Sequence, residues 1–141
     1  MGLTAHAQWV EQLTASRTRL PEGLAVSHCW AEVGAFTVGD ESLVWVCPYN
    51  GQLESIHVYA NVLDDNGSDG TATVELENLT GSWVNPNPFY TLTGGNGAFG
   101  GTTGWTGYPV AASTPLRARI QALTATDAQD FSVTVTIKVD P

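Results

Sequence analysis

The sequence predicts an all-β protein, folded as an antiparallel β-sandwich or a small barrel, and three observations support that prediction. Several segments alternate apolar and polar residues with a period of two, which is typical of a strand with one buried face. Turn-forming sequences such as PYNGQ at 48–52 separate these segments, and Asn-Gly is a strong hairpin signal. After residue 22, no segment shows a convincing helical spacing of apolar residues.

Six segments are predicted to be strands. The first is LAVSHCWAEV at 24–33, and the second, SLVWVCP at 42–48, is a nearly continuous apolar run that predicts a central strand. The other four alternate strictly and are SIHVYANV at 55–62, TATVELE at 71–77, PLRARIQA at 115–122 and FSVTVTIKV at 131–139. Their predicted core-facing residues are Ile56, Val58, Ala60, Val62, Ala72, Val74, Leu76, Leu116, Ala118, Ile120, Phe131, Val133, Val135, Ile137 and Val139.

Residues 1–22 are predicted to form an N-terminal arm in front of a β-sandwich domain of residues 23–141. Apolar residues early in the arm are spaced for one short helical face, and a proline ends the stretch. Because a helix this short is not stable alone, we expect the arm to dock on its own domain or on a neighbour. The candidate partner-binding residues of the arm are Trp9, Val10, Leu13, Arg17 and Arg19.

The chain carries few charges, and most of them are acidic. Charged residues make up 13% of the sequence and the net charge is −9 at pH 7, whereas about 25% charged residues is usual in a soluble domain. The five basic residues form no cluster that could neutralise phosphates. Neither nucleic acid nor an anionic membrane is therefore an expected partner. A weakly charged surface fits a protein that is covered by other proteins.

The sequence shows no recognisable secretory signal and no apolar stretch long enough to span a bilayer. Synthesis in a cytoplasm is therefore expected. Cys29 and Cys47 are the only cysteines, and in that compartment both are expected to be reduced and buried. A disulfide between them is the alternative.

Residues 80–110 are predicted to be one long loop, rich in glycine, asparagine, threonine and aromatic residues. Loops of this length are usually functional or disordered, and aromatic residues argue against disorder because they need something to pack on. The candidate partner- or ligand-binding residues are Trp83, Phe99, Trp105 and Tyr108. Three interpretations stay open: protein contact, sugar binding by ring stacking, and a structural cap on the open end of the sandwich.

The same region contains GNGAFG at 95–100, which matches the G-x-G-x-x-G spacing of dinucleotide-binding loops. That fingerprint requires a helix directly after the glycines and an acidic residue about 20 positions further on. Here GTTGWTGYPV follows the glycines, and Pro115 stands where the acidic residue belongs. We reject a nucleotide site, and no cofactor is expected.

No catalytic set is expected either. The three histidines, His6, His28 and His57, match no catalytic motif. Glu75 and Glu77 would lie about 7 Å apart on one strand face, a separation that could suit a glycosidase. Two glutamates on a polar strand face are ordinary, however, and the chain is expected not to be an enzyme.

A metal site is not expected. DNGSDG at 65–70 suggests a calcium loop, but glycine and leucine occupy the third and twelfth positions, where an EF-hand has ligands. Asp, Asn and Gly between two strands are far more often a turn.

Three segments resemble small phage virion proteins: VCPYNGQLESIHVYANV at 46–62, GTATVELEN at 70–78 and DFSVTVTIKV at 130–139. The shared pattern is a strand, a Pro-aromatic-Asn-Gly turn and then further alternating strands. This class includes head decoration, or cement, proteins with a jelly-roll-like β-sandwich, often trimers on the capsid surface. The resemblance implies a jelly-roll-like fold, a homotrimer, the major capsid protein as partner, and a place on the virion.

The expected function is therefore structural: a capsid decoration protein that binds the head surface and reinforces contacts between capsid subunits. The alternative is a carbohydrate- or receptor-binding module of a tail fibre or baseplate, since similar sandwiches serve there too. Trp83, Trp105 and Tyr108 would form the platform of such a module.

Overall fold

A computed structural model describes residues 24–64, 70–83, 87–124 and 127–141. These residues form two antiparallel sheets, and no helix lies among them. The all-β prediction is confirmed. The strands are β1 (Ala25–Ala35), β2 (Trp45–Cys47), β3 (Gly51–Val62), β4 (Gly70–Asn78), β5 (Phe89–Gly94), β6 (Asn96–Thr103), β7 (Pro109–Val110), β8 (Thr114–Leu123) and β9 (Gln129–Val139).

The strand order is that of a jelly roll. Sheet I has the order β1-β9-β3-β6, with the short β7 also paired to β3, and sheet II has the order β2-β8-β4-β5. Strands of the first half pair with strands of the second half in reverse order: β1 with β9, β2 with β8, β3 with β6 and β4 with β5. A long antiparallel hairpin wrapped around itself gives this pairing, so the jelly-roll prediction is confirmed.

The core lies between the sheets and is built from the predicted alternation. Fourteen of the fifteen predicted core residues are buried, and Leu53, Leu63 and Leu92 join them. Val62 is half-buried instead, because β3 ends there and the next residue, Leu63, enters the core. Burial of each large aliphatic side chain stabilises the fold by roughly 1.5–3 kcal/mol.

The predicted central strand at 42–48 is wrong. Only Trp45–Cys47 forms a strand, β2, at the edge of sheet II. The register advances by one residue between the Glu41–Arg119 bridge and the Trp45–Leu116 pair, which marks a β-bulge. Leu43 lies in the bulge and is 87% exposed. An apolar run does not distinguish a buried strand from a bulged edge.

The predicted long loop at 80–110 is also wrong, because it contains β5, β6 and β7. Strand β5 completes sheet II and β6 completes sheet I. Threonine and glycine occupy many positions in both strands, and the deeply buried apolar residues in them are single ones, Leu92 and Ala98. Without a repeated apolar position, these strands give no period-two signal.

The GNGAFG stretch belongs largely to β6, where two glycines allow close approach. A Cβ atom on Gly100 would collide with the hydroxyl of Tyr90, which comes from sheet II. A Cβ atom on Gly101 would collide with the His57 ring on β3. Glycine is needed here because a side chain and a neighbouring strand occupy the space of a Cβ.

The cysteines differ in environment. Cys47 is buried, whereas Cys29 is exposed on the outer face of β1, so the prediction of two buried thiols is wrong for Cys29. Both thiols are free. Burial raises the pKa of the Cys47 thiol.

Candidate interaction surfaces

Three of the four predicted loop residues form one aromatic cluster. The rings of Trp83 and Tyr108 meet edge to face with centroids 5.4 Å apart, and those of Trp105 and Tyr108 do so at 5.5 Å. The indole N–H of Trp83 donates to the carbonyl of Pro109 at 2.7 Å. The backbone of Tyr108 accepts from Leu53 N at 3.0 Å, which ties the cluster to the start of β3.

This cluster packs on its own domain. Trp83 is 7% exposed and part of the core, while Trp105 and Tyr108 are half-buried against it. Trp83 therefore offers no open ring face to a sugar. The contacts give the cluster the geometry of a cap over one end of the sandwich.

Phe99 lies elsewhere, on the outer face of sheet I. It is 80% exposed and is the register partner of Tyr59, which is 42% exposed. A shallow depression of about 350 Å³ adjoins this pair. It is lined by His57, Tyr59, Phe99, Gly101, Ser132 and Thr134.

The middle of this outer face carries no charged side chain among the described residues. Asp130 and Lys138 lie near the two ends of β9, and between them the outward residues are serine and threonine. In this middle part, the neighbouring strands contribute outward residues that are small, aliphatic, aromatic or uncharged polar, whereas Glu54 of β3 lies toward the Lys138 end of the sheet. The outward residues of the middle part are Ser27, Cys29, Ala31 and Val33 of β1, His57, Tyr59 and Asn61 of β3, and Phe99 of β6.

The outer face of sheet II is charged and internally paired. Arg117 contacts Glu41 at 2.9 Å and Glu77 at 3.3 Å, and Arg119 contacts Glu75 at 3.4 Å. Hydrogen bonding with Glu77 raises the pKa of Arg117. Glu75 and Glu77, considered above as a carboxylate pair, each lie beside an arginine. The two faces of the sandwich thus differ sharply in charge.

A pocket of about 180 Å³ opens at the edge of the sandwich between β1 and residues 40–43. Gly39 N donates to Ile120 O at 2.9 Å and Ser42 N to Ala118 O at 2.8 Å, so this segment runs along β8. The pocket is lined by core residues of β8 and β9 and, nearer its polar side, by Trp30, Glu32, Asp40, Glu41, Ser42 and Arg119. No sequence motif predicts this pocket, because its residues come from four separate segments.

Two buried nitrogens of this pocket lack a hydrogen-bond partner among the described residues: Trp30 Nε1 and Arg119 Nε. Arg119 Nε is 4.0 Å from the nearer Glu41 oxygen, too far for a hydrogen bond. Burial, followed by the hydrogen bond and the negative charge of Asp40, raises the pKa of Glu32. The pocket therefore combines two unpaired donors with an acidic pair, Glu32 and Asp40, that makes no ion pair with a described residue.

His28 lies on the inner face of β1 beside this pocket. Its ring stacks on Trp45 at a centroid distance of 4.8 Å and meets Trp30 edge to face at 4.9 Å. Burial lowers the pKa of His28. Cys29 faces the opposite way, so the two side chains do not form a catalytic pair.

Some of the predicted residues lie in parts of the chain that the structure does not describe. The arm residues Trp9, Val10, Leu13, Arg17 and Arg19 lie outside the described residues, as does the turn at 65–69. No cluster of three metal-binding side chains occurs within the described ranges. In the same part of the chain, no helix has the length and apolarity to cross a membrane.

No family model matches this sequence, and no curated protein matches it. Several solved structures are similar to the chain in fold. One is a chain of sacbrood virus of honeybee in expansion state I, with a TM-score of 0.45, 8% identity and 85% of each chain covered. Another is the globular domain of zebrafish complement 1qA protein, with a TM-score of 0.40 and 10% identity over 79% of this chain and 94% of that one.

A third similar structure is the coat protein of tobacco streak virus, with a TM-score of 0.36 and 11% identity over 87% of this chain and 90% of that one. At identities this low, the similarity concerns the fold and says nothing about function. The function has to be argued from this chain's own surfaces.

Proposed function

We propose that the protein is a non-enzymatic structural component of a phage virion, and that it decorates the capsid as a homotrimer on the head surface. The observation that carries the proposal is the difference in charge between the two outer faces. The proposal also draws on the sequence resemblance to small virion proteins described above.

The outer face of sheet I has the chemistry of a protein contact. Interface cores are depleted in charged residues and enriched in aromatic ones, and Phe99 and Tyr59 stand exposed on a face without central charges. Sheet II carries two arginines in ion pairs with three glutamates, and such a charged surface suits contact with water. We therefore assign the capsid contact to sheet I.

The mechanism would be mechanical. A rigid sandwich that bridges neighbouring major capsid subunits adds buried area where the shell is weakly joined. Several copies bound together gain avidity, so each contact can be modest. Once the protein is bound to a head, the arm, residues 1–22, would add a second attachment, with Arg17 and Arg19 available to carboxylates of the capsid. The protein would be made in the host cytoplasm and would reside on the capsid surface.

The test compares two aromatic-to-acidic substitutions on opposite faces. Phe99→Asp places a charge in the proposed contact, whereas Phe89→Asp is the matched control, because Phe89 is 47% exposed on sheet II. Purified full-length variants would be incubated with expanded heads, and bound protein quantified after sedimentation. We expect F99D to weaken binding about tenfold or more and F89D to bind like the wild type.

Equal binding by the two variants would show that sheet I is not the contact surface. Failure of the wild-type protein to bind heads at all would overturn the decoration role. Native mass spectrometry of the unbound protein tests the trimer, and a monomer at micromolar concentration would contradict it.

A carbohydrate-binding role is the second candidate, favoured by the depression beside Phe99 and Tyr59. Aromatic rings there adjoin the hydroxyls of Ser132 and Thr134, a combination that suits a sugar. The aromatic cap is less suited, because Trp83 is buried. A glycan array probed with wild-type protein, Phe99→Ala and Trp105→Ala tests both locations, and the absence of any bound glycan would remove this candidate.

A further inference from the structure

We propose that the pocket between β1 and residues 40–43 is the docking site of the N-terminal arm, residues 1–22, of the same chain. Leu13 would fill the apolar interior and Arg17 would lie at the acidic rim. This inference concerns the isolated protein and does not depend on the proposed capsid role.

The unpaired donors of the pocket point to a peptide as occupant. Trp30 is 7% exposed, and its indole nitrogen lacks a partner among the described residues. A buried donor left unpaired costs about 1–3 kcal/mol. Arg119 Nε is also buried and lacks a partner among the described residues. Both nitrogens are covered by their own chain, so a small movement of the pocket wall on docking would let backbone carbonyls of the arm reach them.

The size and apolar floor of the pocket suit one aliphatic side chain. The floor is made by Ala118, Ile120, Phe131 and Val133 from the core. The pocket volume is about 180 Å³, and an apolar cavity of about 150 Å³ admits a benzene-sized group. The leucine side chain at position 13 is within this limit.

Charge selects the arm over other segments of the chain. The rim carries Glu32, Asp40 and Glu41, of which Glu41 is already paired with Arg117. Glu32 and Asp40 lie together, and their proximity contributes to the raised pKa of Glu32. A cation beside them would relieve this repulsion.

The arm is suited to supply that cation. Residues 12–21 include two arginines and no acidic residue, whereas residues 23–141 carry twelve acidic and three basic ones. Arg17 and Arg19 are therefore drawn toward an acidic rim on the domain that follows them.

The arm is also long enough. Its link to the sandwich is fixed at Leu24, whose carbonyl accepts from Val139 N at 2.8 Å. Trp30 is six residues further along β1, or about 20 Å at the usual strand rise of about 3.3 Å per residue. The acidic rim begins at Glu32, eight residues along β1 and about 26 Å from Leu24. Arg17, seven residues before Leu24, spans about 23 Å when extended, so its long side chain has to cover the remaining distance to the rim, whereas Leu13 spans about 36 Å. Residues 21–23 hold a proline and a glycine, so a tight reversal next to Leu24 would return the arm along β1.

The route along β1 is open at the strand's edge. β1 ends the order of sheet I, so one of its edges has no neighbouring strand among the described residues. Exposed edges of long strands are normally covered or blocked. A returning arm would cover the β1 edge and enter the pocket in one path.

Photo-crosslinking of the full-length protein tests the assignment. Leu13 is replaced by a benzophenone-bearing amino acid, the protein is irradiated in dilute solution, and crosslinked peptides are mapped by mass spectrometry. We expect the main crosslinks at residues 30–32 or 40–43. The charge variant Arg17→Glu should reduce their yield at least several-fold, while Lys138→Glu, an equal change of charge outside the pocket, should leave it unchanged.

Mixing unlabelled and ¹⁵N-labelled protein identifies the chain that donates the arm. Crosslinks within one isotopic form support docking in the same chain, whereas mixed-isotope crosslinks assign the arm to a second copy and overturn that part of the proposal. Crosslinks spread over the surface, or confined to the outer face of sheet I, would overturn the pocket as the docking site. Head binding is measured separately, so a failure here leaves the proposed function untouched.

Discussion

At the scale of single residues, Gly100 explains why glycine is required in the stretch GNGAFG. Its spacing with other glycines imitates a nucleotide loop, but the physical requirement is space between the sheets. A Cβ there would meet Tyr90 across the sandwich. The same residue type thus serves close packing instead of phosphate binding.

We expect Gly100→Ala to destabilise the protein by about 1–3 kcal/mol, because the added methyl group forces Tyr90 or β6 to move. Urea unfolding followed by circular dichroism measures the loss. In a double-mutant cycle, Tyr90→Ala should absorb most of the effect. Strictly additive effects would show that the clash with Tyr90 is not the cause.

His28 predicts a pH dependence of stability. Burial lowers its pKa in the folded state below the ordinary value of 6.5. The unfolded chain therefore binds more protons as the pH falls below about 6.5, and folding becomes less favourable until the folded pKa is passed.

We expect the melting temperature to fall as the pH is lowered from about 6.5 to the pKa of His28 in the folded state. The substitution His28→Phe should remove this part of the pH dependence, because phenylalanine does not titrate but can still stack on Trp45. Differential scanning calorimetry between pH 5 and pH 8 checks this. The exposed His57, replaced by Phe, is the control, and equal flattening of the profile by both substitutions would contradict the assignment.

At the scale of elements, the edge strand β2 shows how a bulge overrides an apolar pattern. The amide of Ala118 donates to the side-chain oxygen of Ser42 at 2.8 Å. The chain then leaves β8 and exposes Leu43 before β2 resumes the pairing at Trp45. The apolar run at 42–48 therefore covers two different environments.

We expect Leu43→Ala to change the free energy of unfolding by less than about 0.5 kcal/mol, because Leu43 is mostly exposed. The matched substitution Leu116→Ala, on the buried face of β8 beside Trp45, should cost about 2–5 kcal/mol. Chemical denaturation of the two variants checks the contrast. A large loss for L43A would mean that the bulged segment packs into the core.

The element scale also separates the predictable strands from the missed ones. Strands β4, β8 and β9 repeat apolar residues at every second position, and their buried faces were predicted residue by residue. The inward positions of β5 and β6 include glycine in both strands and threonine in β6, and each strand is held by its pairing, β5 with β4 and β6 with β3. The sequence of a strand does not predict its pairing register when that register is set by a neighbouring strand.

At the scale of the whole molecule, the fold depends on pairing between the ends of the chain. β9 lies between β1 and β3, and Ala25 pairs with Lys138. The jelly roll therefore closes only after the last strand is available. Such long-range pairing is typical of slowly folding β proteins.

We expect truncation after Asp127 to abolish cooperative folding, because it removes β9 and splits sheet I. Removal of Pro141 alone, which is exposed beyond β9, should leave the melting transition unchanged. Near-ultraviolet circular dichroism and thermal melts distinguish the two outcomes. A cooperative transition in the long truncation would show that the remaining strands fold without β9.

The candidate surfaces, like the strands, could be predicted only in part from the sequence. The aromatic residues at 80–110 could be picked out from the sequence, but their division between two surfaces could not. Trp83, Trp105 and Tyr108 cluster together, whereas Phe99 lies on the outer face of sheet I. The edge pocket could not be predicted, because Trp30, Asp40 and Arg119 are far apart in the chain. The tryptophan within the segment 24–33 is a local feature that could have indicated a site there.

The sequence by itself determined the all-β class, the acidic and weakly charged composition, and the core faces of the alternating strands, because side-chain polarity along a strand is a local property. The tertiary structure decided the jelly-roll order, the bulged edge at β2, the uncharged outer face of sheet I and the pocket beside β1. Those features depend on which strands become neighbours, and two of the neighbouring pairs, β1 with β9 and β2 with β8, come from opposite ends of the chain.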